Sequence, residues 1–277
     1  MKNKVPIIVR LINERWFDSE KEACAWIMER KVLIDERPVL SPKEAVSPEA
    51  AIRIKNEYKR RFVNKGGLKL EGAMERLKVD VTGKTALDCG ASTGGFTDCL
   101  LQRGAARVYA VDAGFGQLAG KLQSDPRVVN MEKTNLGDAC LLKLEPKPEI
   151  ITLDLSYLSL KKALPLCENI LGLHGLVVCL VKPLFEVEDT EIRRTGELSD
   201  PKLLTDILLE LYDFFIKRQY KVLGITHSAV TGNEGTVEYF YSLSLDVDSA
   251  GIARDVIAED IAVTVDISLK LNQFKKT

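Results

Sequence analysis

The sequence predicts an α/β protein: a doubly wound, mostly parallel sheet of seven strands whose last strand runs antiparallel, preceded by a small α+β module. Three observations predict it. From Lys84 onward, segments of strand and helix character alternate. Strands such as Leu176–Val181 are almost continuously apolar, as a parallel sheet covered on both faces demands. The final two strands leave no room for a helix between them, so they pair as a hairpin with Gly232 and Gly235 in its loop.

The elements follow in order. Within 7–31, Ile8, Leu11 and Ile12 recur at helical spacing, and Ser19 with Glu22 three residues on caps a second helix that carries Ala23, Ile27 and Met28 on one face. Strands at 32–34, 38–39 and 51–54 complete a module over 1–58, close to the lower size limit for independent folding. A basic linker spans 59–65 and a helix 67–77. Strands then fall at 85–89, 108–112, 128–131, 150–155, 176–181, 220–226 and 236–245, with helices at 96–103, 115–122, 160–171 and 201–217. The body covers 66–246. In the extension, 247–277, Ile252, Val256, Ile257 and Ile261 have helical spacing and Val263, Val265, Ile267 and Leu269 alternate; a helix is expected.

Composition narrows the function classes. Of 277 residues, 45% are hydrophobic and 29% charged, which suits a globular chain rather than a disordered one. No apolar run approaches the ~20 residues of a membrane span, and Lys2, Lys4, Arg10, Glu14 and Arg15 interrupt any signal-peptide core. A cytoplasmic monomer is expected. None of the six cysteines share a C-x-x-C spacing, so reduced, packed thiols are expected, and two histidines give a metal site or a His-based triad little to build on. The net charge of −1 conceals a net +6 in residues 1–69, concentrated in Arg53, Lys55, Lys59, Arg60, Arg61, Lys65 and Lys69. That segment is either a polyanion-binding surface or a solvated charged linker.

The chemistry begins with the run Asp88-Cys89-Gly90-Ala91-Ser92-Thr93-Gly94-Gly95 after the first strand of the body. Glycines there let a nucleotide-like ligand approach the backbone. The spacing is not G-x-G-x-x-G, and no Lys-Ser/Thr follows as a phosphate-binding loop requires. Asp112, ending the second strand, suits both hydroxyls of a ribose and a cationic cofactor better than phosphates. Asp154 and Lys182 end strands four and five, and Glu238 lies within strand seven. Charges embedded in apolar strands must pair, either as a structural network or as catalytic groups, and their place beside the glycine loop favours catalysis.

Several stretches carry a family resemblance: G-G-L-K-L (66–70), D-C-G-A-S-T-G-G-F-T (88–97), L-Q-R-G-A (101–105), Y-A-V-D (109–112), D-L-S-Y-L-S-L (154–160), V-K-P (181–183) and T-G-N-E-G-T-V-E (231–238). With them the chain resembles the TlyA family, historically labelled hemolysins, whose body is similar to the FtsJ ribose methyltransferases. The resemblance implies a Rossmann-like methyltransferase domain using S-adenosyl-L-methionine, an N-terminal RNA-binding domain of ribosomal-protein type, and methylation of cytidine ribose 2′-hydroxyls in ribosomal RNA or ribosomal subunits. It also implies a tetrad of Lys69, Asp154, Lys182 and Glu238. The residues assigned to the cofactor are Asp88, Gly90, Ala91, Ser92, Thr93, Gly94, Gly95, Phe96, Asp112, Asn135 and Asp154; those assigned to RNA are Arg53, Lys55, Lys59, Arg60, Arg61 and Lys65; none is assigned to a metal.

In this reading Lys182 meets the 2′-oxygen, accepting its proton or stabilising developing negative charge. Asp154 and Glu238 orient Lys182, and Lys69 grips the hydroxyl or a phosphate. Departures from the family are Pro6-Ile7-Ile8 where Arg-Leu-Asp is usual, Asp35-Glu36 in place of an Asn-Gly turn, and Leu184 in place of Gln. The alternatives are an RNA- or ribosome-binding factor without turnover, and a hemolysin.

Overall fold

The computed structural model describes residues 4–14, 16–17, 19–54, 61–156, 158–171, 175–187, 189–196, 198–232, 235–246 and 248–273. The chain divides into two compact units, Met1–Lys59 and Arg60–Thr277.

The first unit comprises β1 (Val5–Pro6), α1 (Ile7–Asn13), α2 (Glu20–Met28), β2 (Val32–Ile34), β3 (Arg37–Pro38), β4 (Ala45–Val46) and β5 (Ile52–Ile54). β2 pairs antiparallel with β3 and β5, and β1 with β4. The Ser19 hydroxyl accepts from Glu22 N at 3.2 Å and caps α2. Ala23, Trp26 and Ile27 point into the core and Met28 is exposed, because 23, 26 and 27 share one helical face and 28 lies about 140° away. The β2–β3 turn places Asp35 and Glu36 at φ 47° and 64°, so the geometry usually served by Asn-Gly persists on residues less suited to it. Asp35 Oδ1 accepts from Ala51 N at 2.9 Å, and Glu36 binds Arg53.

The second unit comprises α3 (Lys65–Arg76), β6 (Thr85–Cys89), α4 (Gly95–Gln102), β7 (Arg107–Asp112), α5 (Gly120–Gln123), β8 (Val128–Glu132), a 3-10 turn (Ala139–Lys143), β9 (Ile150–Leu153), α6 (Leu160–Cys167), β10 (Leu176–Val181), α7 (Pro183–Glu186), α8 (Thr190–Thr195), α9 (Pro201–Lys217), β11 (Lys221–His227), β12 (Tyr239–Ser244) and α10 (Arg254–Gln273). The seven strands order as β11-β12-β10-β9-β6-β7-β8, and β12 runs antiparallel to both neighbours. Alternation along each strand splits the core into two layers. Leu87, Val177 and Cys179 face α6, α9 and α10, whereas Ala86, Val178 and Leu180 face α3 and α4.

Four expectations change. The helix expected at 115–122 shrinks to α5, because the Glu132 carboxylate takes the N–H groups of Gln117 and Leu118 (2.8 and 3.2 Å) and holds those residues in a loop. Residues 61–65 are no free linker: Phe62 is buried, Val63 N donates to Asp98 Oδ2 at 2.9 Å, Asn64 caps α3 and Lys65 begins it. Glu238 precedes β12 rather than lying within it. Of the cysteines, Cys89, Cys99, Cys167 and Cys179 are buried, while Cys24 is half-buried and Cys140 exposed; all are free. In α10, Ile257, Ile261 and Val265 form the buried stripe at four-residue spacing, and Val256, Val263 and Ile267 face solvent, so the apparent alternation mixes two helix faces.

Ile257→Ala is therefore expected to lower unfolding free energy by about 2–5 kcal/mol, and Val263→Ala to stay within about 0.5 kcal/mol of the parent in urea unfolding.

Candidate active site

In a parallel sheet, every strand delivers its following loop to the same edge. Cys89, Leu153 and Cys179 stand level across β6, β9 and β10, so Gly90, Asp154 and Lys182 all emerge at that edge. β12 contributes from the opposite direction. Its first residue, Tyr239, pairs with Val181, the last of β10, so Glu238 enters the edge beside Lys182. A cleft of ≈ 1930 Å³ opens there, lined by residues that include Lys65, Lys69, Gly90, Ala91, Ser92, Gly95, Phe96, Asp112, Asn135, Asp154, Lys182, Leu184 and Glu238.

The four charged residues form two ion pairs. Lys182 Nζ meets Asp154 Oδ1 at 2.6 Å and Ser156 Oγ at 3.4 Å. Lys69 Nζ meets Glu238 Oε2 at 2.6 Å. Glu238 therefore pairs with Lys69, which corrects the expectation that both carboxylates hold Lys182. Burial pushes the Glu238 carboxyl above its ordinary range, and Lys69 pulls it back. Gly232 makes room for this carboxylate: a Cβ there would lie 2.4 Å from Glu238 Oε1.

The glycine loop is shaped for close approach. Gly90 has φ +85°, and a Cβ on it would lie 2.3 Å from the Asp154 carbonyl oxygen. Asp112 accepts from Ser92 N and Gly114 N, each at 2.7 Å, and so holds the loop while lining the cleft. Phe96 packs on Phe240 with ring centroids 6.0 Å apart and closes the cleft floor.

Three residues assigned to the cofactor do not line the cleft. Asp88 is fully buried and accepts from Thr97 Oγ1 (2.7 Å) and Thr152 Oγ1 (3.1 Å), bolting the loop's root to α4 and β9. Thr93 Oγ1 accepts from Asn64 Nδ2 at 2.6 Å. Gly94 abuts Leu118 and Leu122. Of the residues assigned to RNA, Lys65 lines the cleft, Arg61 pairs with Glu71 at 2.7 Å, and Arg53 is engaged by Glu36. Lys55, Lys59 and Arg60 lie outside the described residues.

Sequence reasoning missed Asn64 and Glu186. Asn64 caps α3 through Gly66 N at 2.6 Å while donating to Thr93, joining the helix that carries Lys69 to the glycine loop. An Asn directly before a helix start was the available signal. Glu186 accepts from Ser159 Oγ (2.6 Å) and Leu160 N (2.8 Å), tying the turn after Lys182 to the loop after Asp154. That contact joins residues distant in sequence and leaves no local pattern.

The FtsJ-like methyltransferase family matches residues 62–245, the span that contains the whole cleft. The 16S/23S rRNA (cytidine-2′-O)-methyltransferase TlyA of Mycobacterium tuberculosis is 36% identical over 254 residues, covering 92% of this chain and 95% of the relative. The chain belongs to the TlyA family of FtsJ-like methyltransferases. Hemolysin A of Brachyspira hyodysenteriae is 34% identical, covering 82% of this chain and 94% of its own. A solved structure from Streptococcus thermophilus that carries a hemolysin label is 31% identical, with TM-score 0.74 over 99% of this chain and all of the other. As a methyltransferase of this family, the chain shows among its described residues no helix long and apolar enough to cross a membrane and no His, Cys, Asp and Glu cluster able to hold a metal.

Burial raises the Asp88 carboxyl to about 7. The unfolded chain releases that proton near 4, so proton binding favours the fold. The contribution is complete below about pH 4 and is lost as pH rises toward 7. Asp88→Asn is expected to flatten this decline, read as urea midpoints measured between pH 4 and 8.

Proposed function

We propose that this protein transfers a methyl group from S-adenosyl-L-methionine to the ribose 2′-hydroxyl of cytidine in ribosomal RNA, acting in the cytoplasm where ribosomal subunits are available. The observation that carries the reading is the meeting of two lysine–carboxylate pairs with a glycine cradle at one sheet edge. The cradle fits the cofactor: Gly90, Ala91 and Ser92 line the cleft with little side chain, and Asp112 offers an acidic rim suited to ribose hydroxyls and a cationic ligand. Gly90, Ala91, Ser92, Gly95, Phe96, Asp112 and Asn135 would hold it. When bound, it supplies an electrophilic sulfonium methyl.

The chain's own residues then have a positioning task. A ribose hydroxyl is a weak nucleophile, so most of the acceleration comes from holding its oxygen in line with the methyl group. Lys182 Nζ, fixed by Asp154 and Ser156, is placed to donate to that oxygen and orient its lone pair, and the hydroxyl proton leaves to solvent at the mouth of the cleft once the oxygen is methylated. Lys69, held by Glu238, provides a second cation for the hydroxyl or the adjacent phosphate. Phe96 and Leu155 give the cleft apolar walls that keep water from competing for the methyl group.

Incubating the protein with labelled S-adenosylmethionine and ribosomal subunits should transfer label to ribose positions of ribosomal RNA. Lys182→Ala should reduce the rate at least about 100-fold, in the range of lost positioned donors and acid–base groups, with an unchanged unfolding midpoint. RNA binding without transfer by the parent would support the binding-factor alternative, and lysis of protein-free liposomes the hemolysin.

A further inference from the structure

The loop between β7 and α5 presents a feature that the proposed reaction does not use. Phe115 is 70% exposed, whereas its neighbours Asp112, Ala113 and Gln117 line the cleft. Its ring stands outside the cavity wall, at the rim. Lys133 Nζ sits over the ring, 4.2 Å from its centroid. The arrangement is held from several sides. Gly114 N donates to Asp112 Oδ1 at 2.7 Å, Lys133 N donates to Gly114 O at 2.9 Å, and Glu132 holds Gln117 N and Leu118 N. Backbone hydrogen bonds from Gly116, Leu118 and Gln117 keep the Glu132 carboxyl below its ordinary range, so the loop stays pinned at neutral pH. Lys133 itself takes φ 57°, an uncommon conformation for a non-glycine residue, and carries its side chain over Phe115.

We propose that Phe115 and Lys133 form a stacking platform for a nucleotide of single-stranded RNA beside the acceptor. Lys133 covers one face of the ring, and the base of that nucleotide stacks on the open face while its phosphate meets the ammonium group. An aromatic face with an adjacent cation is the pairing that single-stranded nucleic acid engages irrespective of sequence. A protein partner would need a continuous apolar patch, but Phe115 is bordered by Gly114, Gly116, Gln117 and Lys133. The adenine of the cofactor would need the ring inside the cleft, where it does not stand. The inference rests on the reading of the cleft as an RNA-methylating site.

The test uses the full-length chain as parent, Phe115→Ala, Phe115→Trp and Lys133→Ala. Affinity for a fluorescein-labelled single-stranded ribosomal RNA oligonucleotide is measured by anisotropy, and affinity for S-adenosylmethionine by calorimetry. Phe115→Ala should weaken RNA binding about ten-fold, as loss of one stacked base does, and Phe115→Trp should restore it. Lys133→Ala should weaken RNA binding and reduce its salt dependence. Cofactor affinity should stay within about two-fold in all of them, since no cleft-lining residue is altered. Unchanged RNA affinity in Phe115→Ala would overturn the platform, and so would an equal loss of cofactor affinity, which would place the ring in the cofactor pocket. A parent that neither binds RNA nor transfers methyl would instead overturn the reading of the cleft, and the platform with it.

Discussion

Everything in the cleft depends on one reversed strand. A purely parallel sheet sends loops to its carboxyl edge only from strand ends, and Asp154 and Lys182 arrive that way. Because β12 enters between β10 and β11 in the opposite sense, the residue before its start reaches the same edge. Glu238 is thereby set beside Lys182 and opposite Lys69. A carboxylate buried to this degree is costly without a partner, and α3 supplies one by projecting Lys69 to within 2.6 Å. Strand direction, helix placement and charge pairing are one requirement seen at three levels.

A second tier of polar contacts holds that edge rigid. Asp88 clamps the root of the glycine loop through Thr97 and Thr152, Asn64 ties α3 to Thr93, and Glu186 spans from α7 to Ser159 and Leu160. None of these links needs to touch a substrate. Each fixes the distance between two segments that border the cleft, which is what a positioning mechanism demands when a misplacement of about an ångström can cost 100-fold in rate. The same logic explains why Asp88, inside a motif that reads as ligand-binding, serves structure: its carboxyl is fully buried, and the cleft face of the motif is left to Gly90 and Ala91.

How legible the chain was depends on the range of the forces involved. Leu176–Val181 and Pro201–Lys217 were readable to the residue, because a continuous apolar run and a capped, Pro-initiated helix are local signals. The hairpin of β11 and β12 followed from spacing alone. By contrast, the stretch 115–122 looked helical and is mostly loop, since Glu132, on another strand, claims its amide groups. Asp154, Lys182 and Glu238 were visible as charges that apolar strands do not tolerate, and Lys69 came only with the family resemblance; the pairing of the four was not visible. Which carboxylate meets which lysine depends on where α3 docks, and no local pattern encodes that. The two short strands β1 and β4 went unseen because two residues carry no periodicity.

The observed pairing also bears on how Lys182 can act. An ammonium group has three donors and no acceptor. Asp154 and Ser156 take two of them, and the geometry leaves the third for an oxygen entering the cleft. Had both carboxylates bound Lys182, no donor would remain once Ser156 was counted. Glu238's engagement with Lys69 is therefore what leaves Lys182 a donor for the proposed acceptor. The same division leaves Lys69 donors of its own to spare, so in the proposed reaction an incoming ribose would meet two cations, each already anchored, and would order neither by its own binding. Preorganisation of that kind places the cost of assembling the site in the fold, before any substrate arrives.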